Sequence, residues 1–214
     1  MPSWKKHLLP PDSAEDALWH SSVRLHHSLP SRLPVTTLSV MLYCVAVAFM
    51  IYLKEQEALR MNADLLRAEW ETRRAFGMRN LDEIWAGNWL SLLSASGQHF
   101  GFIHLLFNMI WLYRLGGAIE RGFGSLVCLG IILVSAWVSS GFQLAVEVNP
   151  LSSAAGMSGV VYAMAGFLWI AWRKEPGTLD FFNSRTAKFF LGWQVLCFLL
   201  TWTGSLNVAN TAHI

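Results

Sequence analysis

Long apolar runs alternate with shorter polar connections along most of this chain. A helix needs about 20 consecutive apolar residues to cross a bilayer, and five runs approach or reach that length. They lie at about 35–53, 100–119, 126–146, 151–172 and 189–206, and a sixth begins near Asn207 and stops at Ile214. The pattern predicts an all-α polytopic membrane protein, with a sixth span that is incomplete within this sequence.

Two polar regions complete the predicted organisation. Residues 1–33 are interpreted as an N-terminal cytoplasmic extension, and 34–214 as one membrane domain with an outer loop at 54–98. Within that loop, 54–76 contains no glycine or proline, and apolar residues recur at helical spacing: Leu59, Ala63, Leu66 and Trp70. This predicts one amphipathic helix. It could lie on the outer leaflet or pack on its own domain as a solvated helix.

Composition supports the membrane assignment and excludes other classes of protein. Apolar residues make up 54% of the chain and charged residues 14%, with a mean hydropathy of +0.38, as in membrane proteins rather than soluble domains. A net charge of +2 is too small to indicate a nucleic-acid partner. The three cysteines lie in apolar runs without the spacing of a metal site. We therefore expect a lipid bilayer as the surroundings, and neither nucleic acid nor a metal ion as a partner.

Lysine and arginine in short loops predict the orientation. These residues occur before the first run, after the second, and between the fourth and fifth, but not in the loops after the third and fifth. The N-terminus is therefore expected in the cytoplasm, in a plasma or inner membrane. The 54–98 loop then lies outside.

Polar side chains within the apolar runs fall at one depth, towards the outer side. His104 and Asn108 are four residues apart and share a helix face. Ser158 begins the fourth helix, and His213 lies in the outer part of the sixth. Because histidine can take the proton of a serine hydroxyl, Ser158 and His213 are the candidate nucleophile and base. No Asp or Glu lies in the apolar stretches near His213, so a dyad is predicted rather than a triad.

Other residues have predicted supporting roles around Ser158. The backbone N–H of Ser158 points out of the helix start, and with side-chain donors from His104 and Asn108 it could receive the oxyanion of acyl transfer. Gly156 and Gly159 remove bulk beside the serine.

Tyr162, one turn after the serine, is positioned to pack against the ring of His213.

Each signal also has a simpler structural explanation. The small residues around the serine could form a helix-packing face, and His104 with Asn108 could provide interhelical hydrogen bonds. His99 is interpreted as solvated at the membrane edge and is left out of the site. Glu120 and Arg121 are interpreted as a local charge pair on the cytoplasmic side.

Four segments, in order along the chain, resemble the rhomboid family of intramembrane serine proteases. They are 99–108, 116–120, 156–163 and 209–213, and the resemblance covers about 85–214. It implies a six-helix core that cleaves the transmembrane helices of substrate proteins near the outer surface, without metal or cofactor. It also implies Ser158 as nucleophile, His213 as base, and His104 with Asn108 at the oxyanion site. The alternative is a catalytically inactive relative that binds membrane client helices.

The sequence departs from the family pattern in two places. Family members commonly carry a Trp-Arg pair in the first outer loop, where this chain has Leu90 and Ser91. The sequence also stops one residue after His213, whereas the family's helix continues and packs on the fourth span. The expectation is that so short a sixth helix holds its histidine poorly.

Overall fold

The computed structural model of the chain describes residues 33–146, 155–174 and 182–203. Within these ranges it has nine α-helices, one π-helical turn and no strand. The helices are α1 Val35–Arg60, α2 Leu65–Ala75, α3 Leu81–Trp85, α4 Ser91–Ser96, α5 Phe102–Trp111, α6 Gly117–Phe123, α7 Ser125–Ala145, α8 Ser158–Lys174 and α9 Ser184–Trp202, and the π-helical turn is Leu112–Gly116. The predicted all-α class is confirmed.

The five long apolar runs all coincide with helices. Among the described residues, three helices are long and apolar enough to cross a membrane: Val35–Arg60, Phe102–Phe123 and Ser125–Ala145. The second of these joins α5, the π-helical turn and α6. The fourth and fifth runs correspond to α8 and α9. The sixth run, 207–214, lies outside the described residues.

Contacts at the helix ends give the direction of each helix. The start of α1 meets α6 through hydrogen bonds to Glu120. Leu144, near the end of α7, packs with Leu81, Ile84 and Leu92 of α3 and α4. The segment 61–101 and the start of α8 therefore lie at one end of the helices, the site end, and the α6–α7 connection lies at the opposite end.

The central helix is α8, which packs against α5, the π-helical turn, α7 and α9. Between 158 and 172 only Ile170 is exposed. The buried residues of α8 are Gly159, Val160, Val161, Met164, Ala165, Leu168 and Ala171. A helix that is apolar on most sides belongs inside a protein. The outer helices α1 and α7 instead expose many large apolar side chains, which suits a surface that faces lipid.

The single helix predicted for 54–76 is wrong. Helix α1 continues to Arg60, the chain turns, and α2 starts after Asp64, whose side chain accepts a hydrogen bond from the N–H of Arg67. Asn62 has a φ of 51° in this turn, a conformation that asparagine tolerates better than most residues. Helix α2 then packs against α1, which agrees with the alternative of a helix packed on its own domain.

A buried carboxylate joins the start of α1 to the end of α6. Glu120, only 7% exposed, accepts hydrogen bonds from the backbone N–H groups of Thr36 at 2.8 Å and Thr37 at 2.9 Å. The hydroxyls of Thr37 and Ser125 donate to it at 2.9 and 2.7 Å. Because first-turn N–H groups have no acceptor within their own helix, Glu120 caps α1 from another helix. The predicted pairing of Glu120 with Arg121 is therefore wrong.

We expect Glu120→Gln to lower the free energy of unfolding by about 2–3 kcal/mol, because hydrogen bonds to a charged group are among the stronger ones and the new NH2 group faces donors. Thermal unfolding in detergent micelles measures the change. Glu71→Gln, which removes an exposed ion pair with Arg67, is the matched control and should cost less than about 1 kcal/mol. Equal losses in the two variants would contradict the capping role.

Candidate active site

Two short segments meet at the site end, immediately before α8. The N–H of Gly156 donates to the carbonyl of Ala95 at 3.3 Å, and the N–H of Met157 donates to Nε2 of His99 at 3.3 Å. Residues 155–157 are thereby held against α4 and the 97–101 loop. Ser158 follows directly as the first residue of α8, so these bonds fix the backbone on which the predicted nucleophile stands.

His99 belongs to this arrangement, and its interpretation as a solvated residue is wrong. The side chain is 3% exposed. Burial, aided by the neighbouring His104, lowers the pKa of His99 to about 3. At neutral pH the ring is therefore uncharged, and its Nε2 keeps the lone pair that accepts the Met157 N–H. The available sequence signal was the position of His99 at the start of the 99–108 segment.

His104 lies beside both His99 and the turn before α8. Its ring meets that of His99 edge to face, with centroids 5.1 Å apart. A Cβ atom on Gly156 would lie 2.7 Å from Cε1 and 2.9 Å from Nε2 of His104. Gly156 also has a φ of +105°, which side chains rarely adopt. Both the contact and the backbone therefore require glycine, and the structure brings His104 beside the residues that precede Ser158.

Asn108 is buried one turn further along α5. Its Nδ2 donates to the carbonyl of His104 at 2.9 Å. This bond lies within one helix, so it does not join helices. A side-chain amide has two N–H donors, and the bond to His104 uses one while fixing the side-chain orientation.

Ser158 is half-buried at the N-terminus of α8. The N–H of Val161 donates to the carbonyl of Met157 at 2.9 Å, so the helical ladder begins at Met157. The N–H of Ser158 therefore points out of the helix start, in the positive field of the helix dipole. Gly159 is buried at the next position.

Tyr162 packs against α9. Its ring meets that of Phe190 edge to face, with centroids 5.3 Å apart, and its hydroxyl donates to the Phe190 carbonyl at 3.4 Å. The predicted contact of Tyr162 with His213 lies outside the described residues, as does His213 itself. Across the described ranges, no group of three or more His, Cys, Asp or Glu side chains could hold a metal ion.

The positions of the family's Trp-Arg pair lie at the start of α4. Leu90 is 81% exposed, whereas Ser91 is buried. Trp85 and Trp89 meet edge to face nearby, with ring centroids 4.9 Å apart. Neither position 90 nor position 91 supplies a cation to the 97–101 loop.

Comparison with known proteins identifies the family of this chain. The family profile of the Rhomboid domain matches residues 86–214, more than half of the chain. The chain belongs to the rhomboid family. Rhomboid protease GlpG from Salmonella paratyphi A is 35% identical over 117 residues, that from Salmonella choleraesuis 36%, and that from Salmonella newport 35%. Each alignment covers 55% of this rhomboid chain but 41% of the relative, so the chain spans about two fifths of the relatives' length. Together with the three long apolar helices, the family identifies an integral membrane protein.

We expect Gly156→Ala in this rhomboid to lower the free energy of unfolding by about 1–3 kcal/mol, because the methyl group meets the His104 ring and the backbone is strained. Gly166→Ala is the matched control, since a Cβ there has no neighbour within 4 Å. Gly166 lies inside α8, so the control should be neutral or stabilising by up to about 1 kcal/mol. Thermal unfolding of both variants in micelles provides the comparison, and a neutral Gly156→Ala would show that the turn can move away from His104.

Proposed function

We propose that this rhomboid is an intramembrane serine endopeptidase that cleaves the transmembrane helices of substrate proteins with a Ser158–His213 dyad. The observation that carries the proposal is the fixed start of α8. Ser158 follows a turn that is bonded to His99 and covered by the ring of His104. Relatives described as rhomboid proteases support it.

The proposed reaction is acyl transfer followed by hydrolysis. Oγ of Ser158 attacks the carbonyl carbon of the scissile bond, and its proton passes to the imidazole of His213. The tetrahedral intermediate collapses as the C–N bond breaks, and the leaving amine takes the proton from His213. Water then attacks the ester with His213 again as base, releasing the acid and regenerating Ser158. Nucleophile and base are both side chains, so these steps require no metal or cofactor.

The negative oxygen of the intermediate forms beside the start of α8. The proposed donors are the N–H of Ser158 and the side chains of His104 and Asn108. Donors that are already oriented stabilise developing charge without reorganising during the reaction. Asn108 is oriented by its bond to the His104 carbonyl, and the ring of His104 by its edge-to-face contact with His99. Surroundings poor in water strengthen each of these interactions.

We also propose that the site end faces the outside of a plasma or inner membrane, with the N-terminus in the cytoplasm. The short connections at the opposite end of the helices contain basic residues, at the α6–α7 connection, the end of α8 and the start of α9: Arg121, Arg173, Lys174, Arg185 and Lys188. Short cytoplasmic loops carry such an excess of lysine and arginine. Substrate helices would then be cut near the outer surface.

Ser158→Ala should abolish cleavage of a transmembrane substrate by the full-length protein in liposomes, because the attacking hydroxyl is lost. His213→Ala should do the same. The control is Ser135→Ala in α7, whose hydroxyl bonds only within its own helix in the described structure, and which should retain wild-type turnover. Cleavage that persists in Ser158→Ala, with contaminating protease excluded, would refute the assignment of Ser158 as the nucleophile. A wild-type protein that binds a client helix but neither cleaves it nor reacts with a fluorophosphonate would instead be a non-catalytic relative.

Asn108→Ala should lower kcat by on the order of 10²-fold while changing KM little, since an oxyanion donor acts mainly in the transition state. Asn88→Ala removes an exposed amide that donates to the carbonyl of Glu83, and it should leave both constants unchanged. Steady-state cleavage rates at equal amounts of folded protein give kcat and KM separately. A wild-type kcat in Asn108→Ala would leave Asn108 with only its structural bond to His104.

A further inference from the structure

We propose that Arg73 is a positioning residue for this site: its buried guanidinium holds the 97–101 loop and, through His99, the turn that carries Ser158. The inference rests on the proposed function of Ser158. Arg73 lies on α2, well before every residue assigned to the site so far.

The side chain of Arg73 is buried. Its Nε and Nη2 atoms have hydrogen-bond partners, whereas its Nη1 has none among the described residues. The side chain is 4% exposed and forms an ion pair with Glu69 at 2.7 Å. Its Nη2 donates to the backbone carbonyl of His99 at 3.2 Å, and its guanidinium carbon lies 4.0 Å from the centroid of the Phe100 ring. A buried charge is costly unless it is paired, so these contacts fix where the guanidinium lies. They bind it to two consecutive residues of the loop.

The backbone of Arg73 makes a further connection to the same loop. Gln98 is fully buried, and its Nε2 donates to the carbonyls of Arg73 at 3.1 Å and Phe76 at 3.2 Å. The last carbonyls of a helix lack partners within it, and Gln98 supplies partners at the end of α2. Side chain and backbone of Arg73 therefore hold residues 98–100 together, and the loop cannot shift relative to α2 without breaking several bonds.

His99 carries this constraint to the nucleophile. Its backbone carbonyl accepts from Arg73, and its ring accepts from the N–H of Met157. Ser158 is the next residue along the chain. A displacement of the loop would therefore move the Met157 N–H and the start of α8. Errors of about 1 Å in a reacting group can cost on the order of 10²-fold in rate.

The same helix contains a matched ion pair that lacks these contacts. Arg67 and Glu71 are four residues apart, as Glu69 and Arg73 are, and their side chains approach to 2.8 Å. Both are exposed, at 77% and 62%. Arg67→Met thus removes an arginine and an ion pair from α2 without touching the 97–101 loop.

The experiment compares Arg73→Met with Arg67→Met in the full-length protein. Amide hydrogen exchange at Met157 measures how well its bond to His99 is held, and cleavage kinetics measure the effect on the proposed site. In Arg73→Met, exchange at Met157 should become faster and kcat should fall by on the order of 10²-fold, while KM changes little because no substrate contact is removed. In Arg67→Met, exchange, kcat and KM should remain at wild-type values.

Arg73→Lys provides a second variant in case Arg73→Met does not fold. It keeps a positive charge beside Glu69 but loses the planar fork that also reaches the His99 carbonyl, so exchange and kcat should lie between those of wild type and Arg73→Met. Wild-type exchange at Met157 and wild-type kcat in the folded Arg73 variants would overturn the proposal. If the wild-type protein does not cleave, the proposed function fails, and exchange at Met157 still decides whether Arg73 positions the turn.

Discussion

Backbone N–H and C=O groups in surroundings poor in water must find partners inside the protein, and this constraint organises the helix ends of this rhomboid. At three ends the partner is a side chain from a distant part of the chain. Glu120 accepts from the first turn of α1, Gln98 donates to the last turn of α2, and His99 accepts from the turn before α8. Each bond satisfies one helix and also fixes it against another, so the same interactions set both local structure and helix arrangement.

The bond from the Met157 N–H to His99 orients the proposed site. An imidazole can accept an N–H only while it is neutral, and burial keeps the pKa of His99 near 3. The bond to Met157 therefore persists at neutral pH, where the proposed base His213 would have to act. The ring of His104, which meets that of His99 edge to face, lies close to the same turn at Gly156, where a side chain would not fit. The start of α8 is thus oriented before any substrate arrives, as transition-state stabilisation requires.

The apolar runs predicted the helices correctly because hydropathy over 20 residues is a property of the segment itself. The proximity of His104 to the turn before Ser158 was also predictable, since the predicted orientation places both near the same end of their runs. The turn at Asn62 was missed because no glycine or proline marks it. His99 and Glu120 were misjudged because each lies at the edge of an apolar run, where the sequence does not show whether a polar side chain meets water or a helix end. That outcome depends on packing between segments far apart in the chain.

The two ion pairs of α2 show this limit most clearly. Glu69 with Arg73 and Arg67 with Glu71 have the same spacing and composition, and their opposite order along the helix changes its stability by only a few tenths of a kcal/mol. In the structure one pair is enclosed and the other is solvated, because one face of α2 packs on α1 and the 97–101 loop. An exposed pair contributes about 0–1 kcal/mol, whereas removing one partner of a buried pair leaves a charge without compensation. Substitutions on the buried face of α2 should therefore disturb the turn before Ser158, whereas those on its exposed face should not, although both lie about equally far from Ser158 along the chain.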